Sequence, residues 1–577
     1  MKKVVVTGVG MINAVGNSTQ ESFSNMLKGI SGINHITHFD ASKDSVQIAA
    51  EVKNFNPLDV LDKKEVKKCD RFVHLGLHAA KEALEDAKIN LDALDLNRIG
   101  VSGATGIGGL PSIQMNVEKN FQNKKISPFF IPGSITNILA GYVAIKYQLK
   151  GPNLSSTTAC TAGLHAINEA AKTIMIGGAD GMLVVGSEAC ISQMGIRGFS
   201  AMKALSSRNE TPQTASRPFD KDRDGFVMGE GAGAIMIESL DHALARGADI
   251  YATIEGFGES ADADHITAPN QDGATRAIKA ALKMANNPHI DYINAHGTST
   301  PLGDINETKV MKEIFKDKVP PLSSIKGSTG HCLGATGTIE AVVSLMAMRE
   351  SVIPPTINLF EPDSECDLDY VANEARKCKL EIVMSTNYGF GGTNGAIIFK
   401  NIRVDKMFMY EENEAQKERL QKLYKKIEIV YGTVPPQMKF LGNIEADYLE
   451  NFLEMIARVL KHPHINPHFF GFLRLHVAYK EEYAYCKMFN TKLLLSYGYG
   501  QEELEKVIKD IGNVPFDEKH KNLAKKAIEA IYDGDAFTQD GLDALYAQGW
   551  TQGDVFDAID HTGTILKNGR ILKAYLS

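Results

Sequence analysis

Up to about residue 400, short β-branched and glycine-containing runs alternate with longer stretches in which apolar residues recur at helical spacing. The runs 3–7, 99–103, 181–186, 233–238, 292–295 and 395–400 predict strands, and the segments 18–27, 75–86, 162–175, 274–285 and 336–348 predict helices. Such alternation implies an α/β fold with helices covering the sheets. Gly8-Val9-Gly10 begins like a dinucleotide fingerprint, but Asn13 stands where the third glycine belongs, so a buried strand and a turn are expected, with no nucleotide site.

Beyond Lys400 the pattern changes. Of the 51 glycines only 12 fall in residues 403–577, and helical spacing dominates at 415–426, 448–460, 470–485, 501–511, 519–530, 542–546 and 555–566. Tyr448, Leu449, Phe452, Leu453, Ile456, Val459 and Leu460 trace one helical face. Thr538 and Thr551, each followed within three residues by Asp, read as N-caps. The expected organisation is an α/β unit over 1–402, a linker at 403–410 and an all-α unit over 411–577.

A candidate nucleophile sits at one strand-to-helix transition. In Ser155-Ser156-Thr157-Thr158-Ala159-Cys160-Thr161-Ala162-Gly163, small hydroxyl residues give way to the apolar face of Leu164, Ile167 and Ala171. A cysteine at a helix N-terminus meets free N–H groups and the positive end of the dipole, which favour thiolate. Seven widely spaced cysteines with no C-x-x-C pair argue for reduced thiols and against a zinc site. A net charge of −8 excludes nothing but gives no support to nucleic-acid binding, and no apolar run is long enough to span a membrane, so a cytoplasmic protein is expected.

Three further stretches carry chemistry. Asn294-Ala295-His296-Gly297-Thr298-Ser299-Thr300 takes a histidine from a strand into a hydroxyl-rich loop. Lys326-Gly327-Ser328-Thr329-Gly330-His331 sets a second histidine before a helix containing Glu340. Asn387-Tyr388-Gly389-Phe390-Gly391-Gly392-Thr393-Asn394-Gly395 is too rich in glycine to serve stability.

In this order, and together with Ser216-Arg217-Pro218-Phe219-Asp220 and Gly229-Glu230-Gly231-Ala232-Gly233, these stretches resemble the thiolase-fold β-ketoacyl-acyl-carrier-protein synthases, in particular the elongating synthase II branch with its Cys-His-His triad. The resemblance covers residues 1–402 and implies a layered α/β/α/β/α fold built from two pseudo-repeated halves, about 1–250 and 251–402. It implies a decarboxylative Claisen condensation of an acyl thioester on Cys160 with malonyl-acyl-carrier protein in fatty-acid elongation, in a homodimer with no cofactor and no metal. His296 and His331 would stabilise the enolate, Lys326 and Glu340 organise them, and the Cys160 and Phe390 N–H groups form the oxyanion hole. Phe390 with Gly391 would gate the pocket, Thr298, Thr300 and Thr267 would contact the pantetheine arm or pocket, and Ile107 would limit the acyl chain. Lys64, Lys67, Lys68, Lys124, Lys125 and Lys203 fall where the family docks its acidic carrier. A polyketide-type ketosynthase shares these motifs. A degradative thiolase would need a second cysteine in the glycine-rich loop, and a chain-length-factor-like partner would lack Cys160.

Leu473-Arg474-Leu475-His476-Val477-Ala478 and Tyr483-Ala484-Tyr485-Cys486-Lys487-Met488-Phe489-Asn490 are distantly similar to the carboxymuconolactone decarboxylase and alkylhydroperoxidase-D group. Tyr483 stands at that family's first cysteine and Asn490 at its histidine, leaving Cys486 without a resolving thiol. A structural or binding role is the expectation. His462, His464 and His468, interrupted by Pro463 and Pro467, lack a metal-ligand spacing.

Overall fold

The strand β1 (Val4–Asn13) is buried at every position and lies at the middle of a ten-stranded sheet. The computed structural model describes residues 2–401 and 413–574, apart from 432, 433, 482, 535 and 536, so the linker expected at 403–410 lies outside the described residues. Two compact units are present, Met1–Leu240 with Ala248–Asn401, and Ile402–Ser577 with Asp241–Gly247.

The other strands of this sheet are β2 (Ile99–Ala104), β3 (Asn153–Ser156), β4 (Gly181–Glu188), β5 (Gly231–Ser239), β6 (Ala252–Ala261), β7 (Tyr292–Asn294), β8 (Leu322–Ser323), β9 (Ile382–Gly389) and β10 (Thr393–Asn401). Their spatial order is β8-β7-β9-β10-β6-β1-β5-β4-β2-β3. Reading outward from the centre, β1-β5-β4-β2-β3 and β6-β10-β9-β7-β8 are the same path traced twice, each antiparallel inside and parallel at its far end. Only Val5 with Thr253 and Val6 with Ala252 pair across the join between the halves.

Helices separate into layers around these halves. On one outer face α1 (Arg71–Asp86) covers β1, β5 and β4, and on the other α2 (Gln271–Met284) covers β6 and β10. Between the halves lie α3 (Ala162–Met175) and α4 (Thr336–Glu350), and α4 touches β5 from one half and β9 from the other. That position buries α4 on all sides from Thr336 to Met348, which is why its sequence shows no polar stripe. The result is the layered α/β/α/β/α arrangement that the resemblance implied.

The two central helices meet where each lacks a side chain. A Cβ on Gly163 would stand 2.7 Å from the Thr338 nitrogen, and one on Gly337 would stand 2.3 Å from the Leu164 nitrogen. Because Cys160 precedes α3 and His331 precedes α4, this crossing brings nucleophile and imidazole to one place.

Some expectations need correction. Gly8 and Gly10 form no turn: β1 runs through them, and a Cβ at either would lie within 2.2 Å of the Ala83 or Ala79 carbonyl of α1. These glycines serve helix-on-strand packing. The strands β3, β6 and β9 escape the apolar pattern because they carry Ser, Asn, Thr or repeated glycine.

The second unit is helical throughout its described elements, around a core that includes Phe469, Phe470, Phe472, Leu475, Leu523 and Trp550. Thr538 accepts from the Gly541 N–H as a cap, and Thr551 and Asp554 exchange N–H bonds at 3.1 and 2.8 Å as a reciprocal box. The segment expected as one helix at 470–485 is two, Pro467–Lys480 and Ala484–Ser496, and Pro436–Ile444 was not foreseen. Tyr483 sits buried at the break, its hydroxyl donating to the Leu566 carbonyl, where a Cβ on Gly569 would strike its ring.

Gly337→Ala should destabilise the first unit by about 1–3 kcal/mol through overpacking at the helix crossing. The helical Gly141, with only Ile138 Cδ1 at 3.9 Å, should accept alanine with a small gain. Urea midpoints of the two variants check this; equal midpoints would mean that the crossing can spread.

Candidate active site

Cys160 follows Ala159, a non-glycine residue in the left-handed region at φ 52°, and sits in a single 3₁₀ turn ahead of α3. Such strain is tolerated where surrounding structure over-determines it. The turn aims the sulfur into a cavity of about 490 Å³ lined by Cys160, His296, His331, Phe390, Phe199, Phe226, Leu333, Thr267, Thr298 and Thr300. The buried Lys326 and, less strongly, the N–H groups of Phe390 and of Cys160 itself pull the thiol downward. Burial outweighs them and pushes it up to about 11. The aromatic and aliphatic pocket walls thus oppose the donors that the helix N-terminus supplies.

His296 leaves β7, and its N–H and that of Gly297 are held by Glu307 at 2.8 and 2.7 Å. The Asn387 amide donates to His296 Nδ1 at 3.2 Å and to Glu340 Oε2 at 2.7 Å. With Nδ1 accepting, the proton of the neutral ring lies on Nε2. His331 donates its N–H to the Val227 carbonyl at 2.8 Å, and its Nδ1 lies 3.0 Å from the Thr336 hydroxyl. The two rings meet edge to face with centroids 5.4 Å apart.

Behind them Lys326, only 1% exposed, pairs with Glu340 and donates to the His296 carbonyl. Burial pushes both imidazoles well below their ordinary value, and the Lys326 charge pushes them further. Both rings are neutral at physiological pH. Burial also lifts Asp304 to about 6 and Glu307 to about 7. A nucleophile thus faces two neutral N–H donors across a largely apolar pocket, an arrangement suited to charge that develops on a thioester oxygen.

Of the residues singled out in the sequence, Cys160, His296, His331, Phe390, Thr267, Thr298, Thr300 and Lys203 line one cavity, with the Thr298 and Thr300 hydroxyls 3.0 Å apart. Lys326 and Glu340 stand behind the histidines. Gly391, at φ 83°, lies outside the lining but ties the loop down by donating to the Ile266 carbonyl at 2.7 Å. Ile107 also lies outside it, packed in an apolar cluster with Phe226, Leu333 and Phe199, which do line it. Lys64, Lys67, Lys124 and Lys125 are exposed away from the cavity, and Lys68 pairs with Glu65 while lying 5.6 Å from the Phe129 ring centroid.

Sequence reading missed Asn387, Thr336, Glu307 and Phe199. Asn387 opens the glycine-rich stretch and Thr336 opens α4, so position relative to a motif was the available signal. Glu307 follows the His296 loop on the helix Pro301–Phe315, where a buried acid three residues after Asp304 has no surface purpose.

In the second unit, burial pushes the Cys486 thiol up to about 12 in spite of Arg474. His462 and His464 pair with Asp554. Among the described residues, no group of three or more His, Cys, Asp or Glu could hold a metal ion, and no helix is long and apolar enough to cross a membrane.

Comparison with known proteins identifies the family of the first unit. Residues 1–243 match the beta-ketoacyl synthase N-terminal domain and residues 251–360 its C-terminal domain. The chain belongs to the β-ketoacyl synthase family. It is 48% identical over 409 residues to 3-oxoacyl-[acyl-carrier-protein] synthase 2 of Coxiella burnetii, covering 70% of this chain and 99% of that relative. The same-named protein of Vibrio harveyi is 44% identical over 412 residues, with the same coverage. Among solved structures, a beta-ketoacyl synthase from Burkholderia phymatum STM815 aligns with TM-score 0.66 and 33% identity over 70% of this chain and all of that one. A type II PKS acyl-carrier protein in complex with its ketosynthase bound to the hexaketide aligns with TM-score 0.64 and 31% identity, at the same coverage.

Because burial lifts the Cys160 thiol to about 11, its alkylation by iodoacetamide should rise about tenfold per pH unit from 7 to 9 with no plateau. Peptide mass spectrometry of Cys160 follows the rate; a plateau near pH 7 would show a resting thiolate.

Proposed function

We propose that the first unit joins an acyl group held on Cys160 to a malonyl unit delivered on acyl-carrier protein, the elongation step of fatty-acid synthesis. The observation that carries this reading is the opposition of Cys160 to the neutral pair His296 and His331 in one cavity. The match to relatives named 3-oxoacyl-[acyl-carrier-protein] synthase 2 over almost their full length supports it.

In the first half-reaction the Cys160 sulfur attacks the acyl thioester, the oxyanion rests on the Cys160 and Phe390 N–H groups, and the carrier thiol departs. In the second, malonyl-carrier loses CO₂ as the Cα–carboxylate bond breaks and charge moves onto the thioester oxygen, where the His296 Nε2–H and the His331 ring receive it. The enolate carbon then attacks the acyl carbonyl, the same two N–H groups hold the new oxyanion, and collapse frees Cys160 with the 3-oxoacyl chain on the carrier. Lys326 would keep both rings neutral, and Glu340 and Asn387 would hold their orientation. Phe390, tilted against Phe199 with centroids 6.3 Å apart, would gate the pocket, Thr298 and Thr300 would hold the pantetheine arm, and Ile107 would bound the acyl chain.

The carrier would dock on Lys64, Lys67, Lys68, Lys124 and Lys125, with Lys203 at the cavity. A homodimer fits the end strand β3, whose outer edge has no partner strand among the described residues. Ile145 and Ile176 are exposed on, or next to the end of, the two helices that touch it. The helical unit would be a separate domain with a structural or binding role, since Cys486 has no second thiol beside it.

Cys160→Ala should abolish acyl-enzyme formation and condensation yet leave decarboxylation of malonyl-carrier, because the enolate donors are elsewhere. An acyl adduct on that variant, seen by intact mass spectrometry, would sink the assignment.

Charge reversal at Lys67, Lys68, Lys124 and Lys125 should raise KM for acyl-carrier at least about tenfold while barely changing KM for acyl-pantetheine, since only the carrier is steered by surface charge. Equal changes would count against a docking face.

A chain ending near residue 406 should remain dimeric by light scattering and condense at close to the full rate. Insolubility or inactivity of that shorter chain would place the domain boundary elsewhere.

A further inference from the structure

His165 lies on α3 five residues past the nucleophile, and the chemistry above gives it no part. Its ring nevertheless uses both nitrogens across a join between two elements. Nε2 lies 3.2 Å from the Asn394 carbonyl oxygen, so it carries the proton. Nδ1 is then the acceptor and takes the Thr158 hydroxyl at 2.9 Å. Thr158 precedes the strained Ala159 and Cys160, whereas Asn394 closes the glycine-rich loop that presents the Phe390 N–H.

Three more contacts span this join, one of them between the Thr393 and Thr161 hydroxyls at 3.2 Å. Thr161 Oγ1 donates to the Thr393 carbonyl, and Thr393 Oγ1 donates to the Thr158 carbonyl, each at 3.0 Å. The fit is close: a Cβ on Gly389 would stand 2.6 Å from Thr393 Oγ1.

We infer that His165, with Thr393, is a positioning residue that fixes the separation of the Cys160 and Phe390 N–H groups and so sets the oxyanion hole. The assignment rests on the condensation reading above. Those two donors belong to different elements, so hydrogen bonds and packing alone fix their spacing. A donor misplaced by about 1 Å costs roughly 10²-fold in rate. The bonds that orient His296 and His331, through Asn387, Thr336 and Lys326, involve neither His165 nor Thr393. The clamp therefore acts on acyl transfer and leaves enolate formation alone.

The test measures the two half-reactions separately on the full chain: acylation of Cys160 by acyl-carrier, read as intact mass against time, and CO₂ release from malonyl-carrier. In His165→Ala, acylation should slow about 10- to 100-fold while decarboxylation stays within about twofold. Thr393→Val removes one clamp hydroxyl at nearly constant volume and should show the same split more weakly, with Thr393→Ser restoring the wild-type rate; this series stands in if His165→Ala does not fold. Parallel loss of both half-reactions, or unchanged acylation, overturns the inference. Wild-type protein that performs neither half-reaction overturns the condensation reading, and this inference with it.

Discussion

The buried pairing of Lys326 with Glu340 is the interaction on which the rest of the site depends. An ammonium and a carboxylate each 1% exposed are costly to take out of water, and the cost is offset only if every remaining proton and lone pair is used. Here Lys326 also reaches the His296 carbonyl and Glu340 also accepts from Asn387, which passes its second N–H to His296. The ion pair thereby settles the charge state and the tautomer of an imidazole that neither partner touches through its ring.

That arrangement explains why the pocket combines an apolar wall with fixed donors. Phe199, Phe226 and Leu333 exclude water from the sulfur and the rings, which strengthens the Lys326 field at the histidines and raises the thiol. One desolvated environment has two effects: it keeps the imidazoles neutral as donors, and it raises the thiol of Cys160.

Cys160, His296 and His331 were legible in the sequence because chemically distinctive residues stood beside glycine and hydroxyl runs at element boundaries. Asn387 was not, since its importance comes from a ring 91 positions away and its residue type is common in loops. The surroundings of the Cys160 sulfur were legible only in part for a related reason: the helix N-terminus is local, whereas the pocket walls come from distant segments. Strands rich in apolar branched residues were readable, but β9, with Ser385, Thr386 and Asn387 buried among neighbours, has no pattern that separates it from a loop. In the second unit the amphipathic helix Ala446–Leu460 was plain, whereas Ala484–Ser496 mixes polar and apolar residues on all sides.

The clamp between the nucleophile turn and the glycine-rich loop joins residues 232 positions apart. On a ribosome, the turn that strains Ala159 is made long before Thr393 and Asn394 emerge to hold it. Until then the cysteine belongs to half of a sheet whose mate is still unsynthesised, and closing so distant a contact is entropically slow. Reactivity is thus delayed to the end of synthesis of the first unit: the chain cannot assemble its nucleophile's surroundings before the last strand, β10, has been made.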